Sequence, residues 1–525
     1  MENNFQVIRT IKIGVVGDSK VNNIDFVREK VRDILFKIDG KLNKTPYSFI
    51  AIADSTDQII TNEIINFKGS NNLLESNLEI ILKTDFKKSS KNKDNFKKLV
   101  DISVSTKTPE DILSKYIYKD VAEKYIRAGQ VIVDKCDFLI VVEGENGSDM
   151  GYIVEYAMHH EKPVFIINSN KGSIKEKNTY HYFKSLEFHD SYNDEKIDSK
   201  KLKKAKENNQ YLIDKMDSLN LESKQRKLIE DSIYPIFNQF LKADLLAMNY
   251  QSKHYLSINL VYYFSAASIA IVILQQLFLR DFPYILVIDA FMMFIVIVLL
   301  FRNKKEDWHR KWIDYRYLAE RLRAAMIFSM VDLDCKVRDN LPYQRVSGDW
   351  ILTVYESIYE KQIAAPDMDF GKIKKFVLNQ WITGQKNFYR EKSIIHLKKD
   401  KILNILVYAA FIGALIGAVF HVFAVILPPV FEIPDVLDIM TFVVIVFPAF
   451  AASIAGIRAQ HEYLRISKRY SHIESYLEGI EYKINGLKDK DKGKLIDLLE
   501  KANNVMLREH QDWRIIFSSR EPELP

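Results

Sequence analysis

Four long apolar stretches, at roughly 258–279, 283–301, 402–427 and 437–457, interrupt an otherwise mixed pattern of hydrophobic and polar positions. Each has about 20 residues, the length an α-helix needs to cross ~30 Å of hydrocarbon. The stretches are apolar all round rather than along one stripe, and they come in two close pairs. The pattern therefore predicts two transmembrane hairpins instead of amphipathic core helices. Before them, short apolar runs alternate with helical spacing. TIKIGVVG (10–17), YSFIAIA (47–53), LEIIL (78–82), DFLIVVEG (137–144) and PVFIIN (163–168) read as strands, and IDFVREKVRDILFKI (24–38) has the period of an amphipathic helix. Such alternation predicts a parallel sheet with helices on both faces. After each hairpin comes a seam of apolar residues spaced three and four apart. One seam is Trp308, Trp312, Tyr315, Ala319, Leu322 and Met326, and the other is Tyr463, Ile466, Tyr470, Ile473, Leu477 and Ile480. These spacings suit helix–helix packing, within the chain or between chains.

The predicted architecture is an α/β Rossmann-like parallel-sheet domain followed by an all-α membrane domain of four transmembrane helices with cytoplasmic helices. The expected divisions are a ligand-binding domain over 1–169 and a charged linker with a connecting helix over 170–240. A first hairpin with its cytoplasmic helix covers 241–330, a cytoplasmic helical segment 331–400, a second hairpin with its helix 401–500, and a tail 501–525. The two hairpins read as an internal repeat. Leu260-Val261-Tyr262 opens one and Leu406-Val407-Tyr408 the other, and Tyr317-Leu318 and Tyr463-Leu464 follow at equal distance. The helix from about 222 to 255 is expected to lead straight into the first span.

Charge adds orientation. The chain carries a net charge of +6, which by itself would suit nucleic acid, but the basic residues cluster beside the spans. Arg302, Lys304, Lys305, Arg310 and Lys311 follow the second stretch, Lys392, Lys398, Lys399 and Lys401 precede the third, and Arg458, Arg465, Lys468 and Arg469 follow the fourth. The turns on the opposite side contain only Arg280. This is the positive-inside asymmetry, and it predicts cytoplasmic N- and C-termini with no direct nucleic-acid binding. The opening stretch lacks the features of a secretory signal peptide. Cys136 and Cys335 stand in different regions without metal-ligand spacing, so no metal is expected.

Candidate chemistry gathers where the strands end, because ligands of such sheets bind outside the carboxyl ends of the strands. Those ends carry Gly14, Gly17, Asp18 and Ser19; Asp54, Ser55, Thr56 and Asp57; Thr84; and Glu143, Gly144, Gly147, Ser148 and Asp149. Glycines there allow tight strand-to-helix turns, and Asp54, Ser55 and Thr56 are also good helix caps. Backbone N–H groups at the helix starts suit phosphate or carboxylate. No lysine follows the first glycine turn, so this is not a Walker P-loop.

With IGVVGDS, IADSTDQIITNEII, TDF and AGQVIVDKCDFLIVVEGENGSDMGYIVEYAMHHEKPVFIIN, residues 10–168 resemble the SLOG superfamily of Rossmann-like nucleotide-associated domains, relatives of LOG-type phosphoribohydrolases. VEGEN and GSDMG stand where those relatives usually carry a tryptophan-containing loop and a Gly-Gly-Thr turn. Glu155 is placed like the family's catalytic carboxylate. Residues 240–490, with WIDYRYLAERLR and WITGQKNFYREKSIIH beside the spans, resemble the SLATT family of small transmembrane effectors. The two resemblances together imply a bacterial inner-membrane effector of antiviral conflict systems. It would be a homo-oligomer that senses a nucleotide second messenger, needs no other cofactor, and permeabilises or gates the bilayer, ending in abortive infection. The alternative is a membrane-anchored nucleotide N-glycosidase or deoxyribosyltransferase-like enzyme using Glu155. A scaffold that recruits a partner to the membrane is a third reading.

Overall fold

Strand β1 (Ile11–Gly17) is apolar nearly throughout because successive side chains enter two different cores. Ile11, Ile13 and Val15 face one helical layer, and Val16 faces the other. This is the pattern of a strand covered on both sides. The computed structural model describes residues 5, 7, 11–18, 21–39, 47–52, 60, 63, 78–81, 105–107, 121–144, 148–331, 349–359, 369–426, 436–488 and 491–518. They fall into two units, one of residues 1–196 with 342–361 and one of 197–341 with 362–525.

In the first unit β1 is followed by β2 (Tyr47–Ile52), β3 (Leu78–Ile81), β4 (Ser105–Lys107), β5 (Phe138–Glu143), β6 (Val164–Asn168) and β7 (Ser173–Lys177). The sheet order is β4-β3-β2-β1-β5-β6-β7. Every pairing is parallel except β6 with β7, which is antiparallel. Helices α1 (Ile24–Asp39), α2 (Val121–Lys135), α3 (Ser148–His159) and α4 (Thr179–Asp194) cover it. Val27, Val31, Ile34 and Leu35 of α1 and Tyr182, Phe183 and Leu186 of α4 enter one core. Ala128, Ile132 and Val133 of α2 and Met150, Ile153 and Ala157 of α3 enter the other.

The α/β class holds, but the sheet is mixed rather than wholly parallel, and it gains β4 and β7. The lysine-rich segment after residue 169, expected to be a connector, begins with β7 and α4. Its apolar residues are few because β7 is an edge strand, and charged side chains on an edge discourage pairing with other chains. Helix Trp350–Tyr359 belongs to this unit too, with the Trp350 ring 5.6 Å from Tyr192, although it lies in the segment read as one cytoplasmic piece.

Gly14 lies inside β1, not at a turn. A Cβ there would stand 2.7 Å from Ile132 Cγ2 and 2.9 Å from Cys136 Sγ, so glycine lets α2 settle onto the sheet. Burial pushes the Cys136 thiol up to about 12, and the thiolate is the reactive form. We expect Cys136 to resist N-ethylmaleimide at pH 8 in the native protein and to react fully in denaturant. A labelled Cys136 peptide from native material would contradict this packing.

The second unit is helical. After α5 (Ser199–Asn209), helix α6 (Ser223–Phe278) runs unbroken for 56 residues, about 84 Å at 1.5 Å per residue. Glu222 and Gln225 form its capping box, which satisfies backbone N–H groups that a helix start leaves open. The expected continuity from 222 into the first span is therefore present. Helix α7 (Ile285–Glu306) completes the hairpin, and α8 (Trp308–Ser329) returns along α6. The second half is helical as well. Helix α9 (Phe370–Val377), a π-helical turn Leu378–Ile382, and α10 (Thr383–Ile426) run in succession. Helix α11 (Val436–His461), α12 (Tyr463–Asn485) and α13 (Lys492–Ser518) follow.

Among the described residues, four helical stretches are long and apolar enough to cross a membrane: Ser223–Phe278, Ile285–Glu306, Phe370–Ile426 and Val436–Asn485. They coincide with the four predicted spans and mark a membrane protein. All six residues of the first seam are buried where α8 packs on α6. Ile466, Ile473, Leu477 and Ile480 of the second are buried too where α12 packs on α10. Both seams are used inside the chain. On α10, Gly413 and Gly417 lie against α11, with added Cβ atoms 2.8 Å from Phe447 and 3.0 Å from Val443. This is the close approach that small residues permit. Asp289 accepts a hydrogen bond from Ser268 on the neighbouring helix, which satisfies a carboxyl within the first hairpin.

Candidate functional site

The strand order reverses direction between β1 and β5. From β1 the chain steps outward through β2, β3 and β4, then returns to lay β5 on the other side of β1. Such a reversal opens a crevice at the carboxyl ends, the usual ligand position in open α/β sheets. Here Gly17 ends β1 opposite Val142. Asp18 follows with its N–H donating to Val142 O at 3.0 Å, and its side chain is buried.

A polar network continues across the ends of β5 and β6. Glu143 pairs with Asn168 in register, and the Asn168 amide donates to Glu143 Oε2 at 2.8 Å. Ser169 donates to Glu143 O through its N–H at 3.1 Å and through its hydroxyl at 2.8 Å. The Asn170 amide donates to Gly144 O at 3.1 Å and accepts from Asn22 Nδ2 at 3.1 Å. Asn22 comes from the turn that starts α1, where Asn23 adopts a left-handed φ of 52° and its side chain accepts from Phe26 N–H at 3.2 Å. Three loops are thus tied into one rim, after β1, β5 and β6.

The rim is rich in carboxylate and carboxamide groups. Asp18 and Glu143 are acceptors for hydroxyl or amino groups, and the asparagines offer both donors and acceptors. That set suits neutral polar groups such as hydroxyls and amides better than anions. Among the described residues no group of three or more His, Cys, Asp or Glu side chains is placed to hold a metal ion.

The residues singled out in the sequence are placed as follows. Gly17, Asp18, Glu143 and Gly144 come together at the rim. Gly14 lies four residues before Asp18, inside the strand, and packs against α2. Ser148 and Asp149 begin α3, the helix that follows β5. Ser19, Asp54, Ser55, Thr56, Asp57, Thr84 and Gly147 lie outside the described residues. Glu155 is two turns into α3, on the side away from Met150, Ile153 and Ala157. Its side chain is 68% exposed and lies 3.9 Å from His159 Nε2, so it faces solvent rather than a cleft. Sequence reasoning missed Asn22, Asn168, Ser169 and Asn170. The signal was present: NSN directly follows the PVFII strand, so these residues sit at a carboxyl end like those that were chosen. Comparison with family models, with curated proteins and with solved structures gives no match.

Proposed function

We propose that the chain is a ligand-responsive membrane effector. The sheet unit binds a nucleotide-derived signal, and the helical unit, as a homo-oligomer at the bacterial inner membrane, gates or permeabilises the bilayer in antiviral defence. The observation that carries this reading is the tied polar rim at the β1/β5 reversal, in the same chain as four membrane-length helices. The lysine and arginine residues on one side of those helices support cytoplasmic termini. The enzyme reading needs Glu155 inside a cleft, and its exposure speaks against that.

The contacts also support reading the hairpins as a repeat, in a register different from the Tyr317/Tyr463 match. Tyr463 opens α12, whereas Tyr317 lies deep within α8. The left-handed residues Asp307 before α8 and Glu462 before α12 are better anchors. With Tyr262 on Tyr408 and Asp307 on Glu462, three contacts recur. Tyr250 with Tyr315 (5.8 Å) matches His396 with Tyr470 (5.9 Å). Lys253 over Trp308 (5.9 Å) matches Lys399 over Tyr463 (5.7 Å). The His254–Asn303 hydrogen bond across the first hairpin matches the Asp400–Arg458 ion pair across the second.

The test is full-length protein in dye-loaded liposomes, challenged with cyclic oligonucleotides and ADP-ribose derivatives. One ligand class is expected to release dye and remain intact. Asp18→Ala and Asn168→Ala should each weaken the response at least about tenfold, the effect of losing roughly 1.4 kcal/mol of binding. Ligand turnover without dye release, abolished by Glu155→Gln, would instead establish the enzyme.

A further inference from the structure

The inner end of the first hairpin concentrates positive charge around two aromatic rings. Lys253 Nζ lies 4.9 Å from the Tyr250 ring centroid and 5.9 Å from that of Trp308. The Arg302 guanidinium is 5.9 Å from the Trp308 ring. Lys311 Nζ is 5.0 Å from the Tyr250 ring and donates to its hydroxyl at 3.4 Å. Glu306 accepts from Trp308 Nε1 at 2.8 Å and from Arg302 Nη2 at 3.4 Å. Lys253, Arg302 and Lys311 thus surround the rings of Tyr250 and Trp308, which form a preformed aromatic base.

Its level relative to the spans identifies the partner. Arg302 directly follows the apolar run Ile285–Phe301, and Lys253 stands just before the apolar part of α6. The cations therefore sit where hydrocarbon gives way to headgroups. Below them α7 presents Phe294, Ile297, Val298 and Phe301, spaced three and four apart and all exposed. Only 6% of the α7 apolar window is buried, against 17–28% for the other three helices. A basic cluster above and an exposed apolar strip below fit one molecule, a phospholipid with a net negative headgroup. The matching place on the second hairpin is different. In the repeat register Ile457 and Ile466 replace Arg302 and Lys311, and Arg458 is already held by Asp400.

We propose that Lys253, Arg302 and Lys311 form a headgroup site for an anionic phospholipid, whose acyl chain lies along the exposed strip of α7. This rests on the reading of the four helices as membrane spans. Full-length protein in a neutral detergent is titrated with phosphatidylglycerol, phosphatidylcholine of the same chains, or sodium phosphate, and its melting midpoint is followed. Phosphatidylglycerol is expected to raise the midpoint by at least about 3 °C, as ligand bound only to the native state does. The other two are expected to have no such effect. Lys253→Gln/Arg302→Gln should remove the shift, while Lys304→Gln/Lys305→Gln, an equal loss of charge on the neighbouring turn, should keep it. Where the double variant does not fold, Arg302→Gln alone, at an exposed position, should at least halve the shift. An equal shift with phosphatidylcholine, an equal shift with phosphate, retention in the Arg302 variants, or equal loss in the Lys304/Lys305 variant would each overturn the proposal. Release of the protein from membranes by alkaline carbonate would instead refute the span reading beneath it.

Discussion

Arg458→Gln should lower stability by about 2 kcal/mol, less than breaking a fully buried ion pair costs, because only the Asp400 side is buried and Arg458 is 31% exposed. Arg458 Nε donates to Asp400 Oδ1 at 2.7 Å, and Nη2 donates to Oδ2 at 3.1 Å. Its Nη1 reaches Asn404 Oδ1 at 2.8 Å. Asp400 is 6% exposed, so removing the guanidinium strands a carboxylate with little access to water. Asp400→Asn added to Arg458→Gln should recover most of the loss, because a neutral amide needs no counter-charge. The check is a double-mutant cycle on melting in detergent. A coupling below about 0.5 kcal/mol, the usual scatter of independent sites, would mean the pair is not bonded.

Gly456→Val should be comparably damaging, for a steric reason. Gly456 on α11 faces Tyr262 on α6, and even the Cβ of alanine would stand 2.2 Å from Tyr262 Cε1. Ser453 Oγ donates to Tyr262 O at 3.0 Å nearby, and His461 Nε2 lies 3.0 Å from Asn259 Oδ1. This seam joins the two hairpins, so valine must push them apart, at about 2–3 kcal/mol for overpacking. Liposomes carrying the variant should also leak dye without ligand. Gly456→Ala should be rescued by Tyr262→Ala, which opens the space the new methyl requires. An unchanged melting midpoint in Gly456→Val would show that the helices do not meet here.

The coarse plan was readable from the sequence because hydrophobic length and period are strong signals. The four spans, the strands flanking the rim and the two apolar seams all follow from them. What escaped was carried by weaker signals. Strand β7 holds one apolar residue, Ile174, so periodicity had nothing to register. The sharp turns into α8 and α12 use Asp307 and Glu462 in a left-handed conformation, where glycine is the usual residue. Nothing in the sequence marks them. Without those breaks the two hairpins were compared through Tyr317 and Tyr463, which occupy different turns of their helices. At the rim the same bias chose glycines and acids and passed over asparagines, although carboxamides make the Asn22–Asn170, Asn170–Gly144 and Asn168–Glu143 hydrogen bonds. Glu155 went the other way. The family resemblance places it like a catalytic carboxylate, but helix phase turns it outward.

The continuous α6 helix has a mechanical consequence. A rod of about 84 Å cannot shorten to absorb displacement at its start, and its one internal proline, Pro235, lies in the first quarter. A tilt of about 5° at one end would carry the other through roughly 7 Å, more than the 5.4 Å pitch of a helical turn. Events that differ by only a few degrees at Ser223 are therefore amplified to a full helical step at Phe278, with no hinge between the apolar span and the stretch that precedes it.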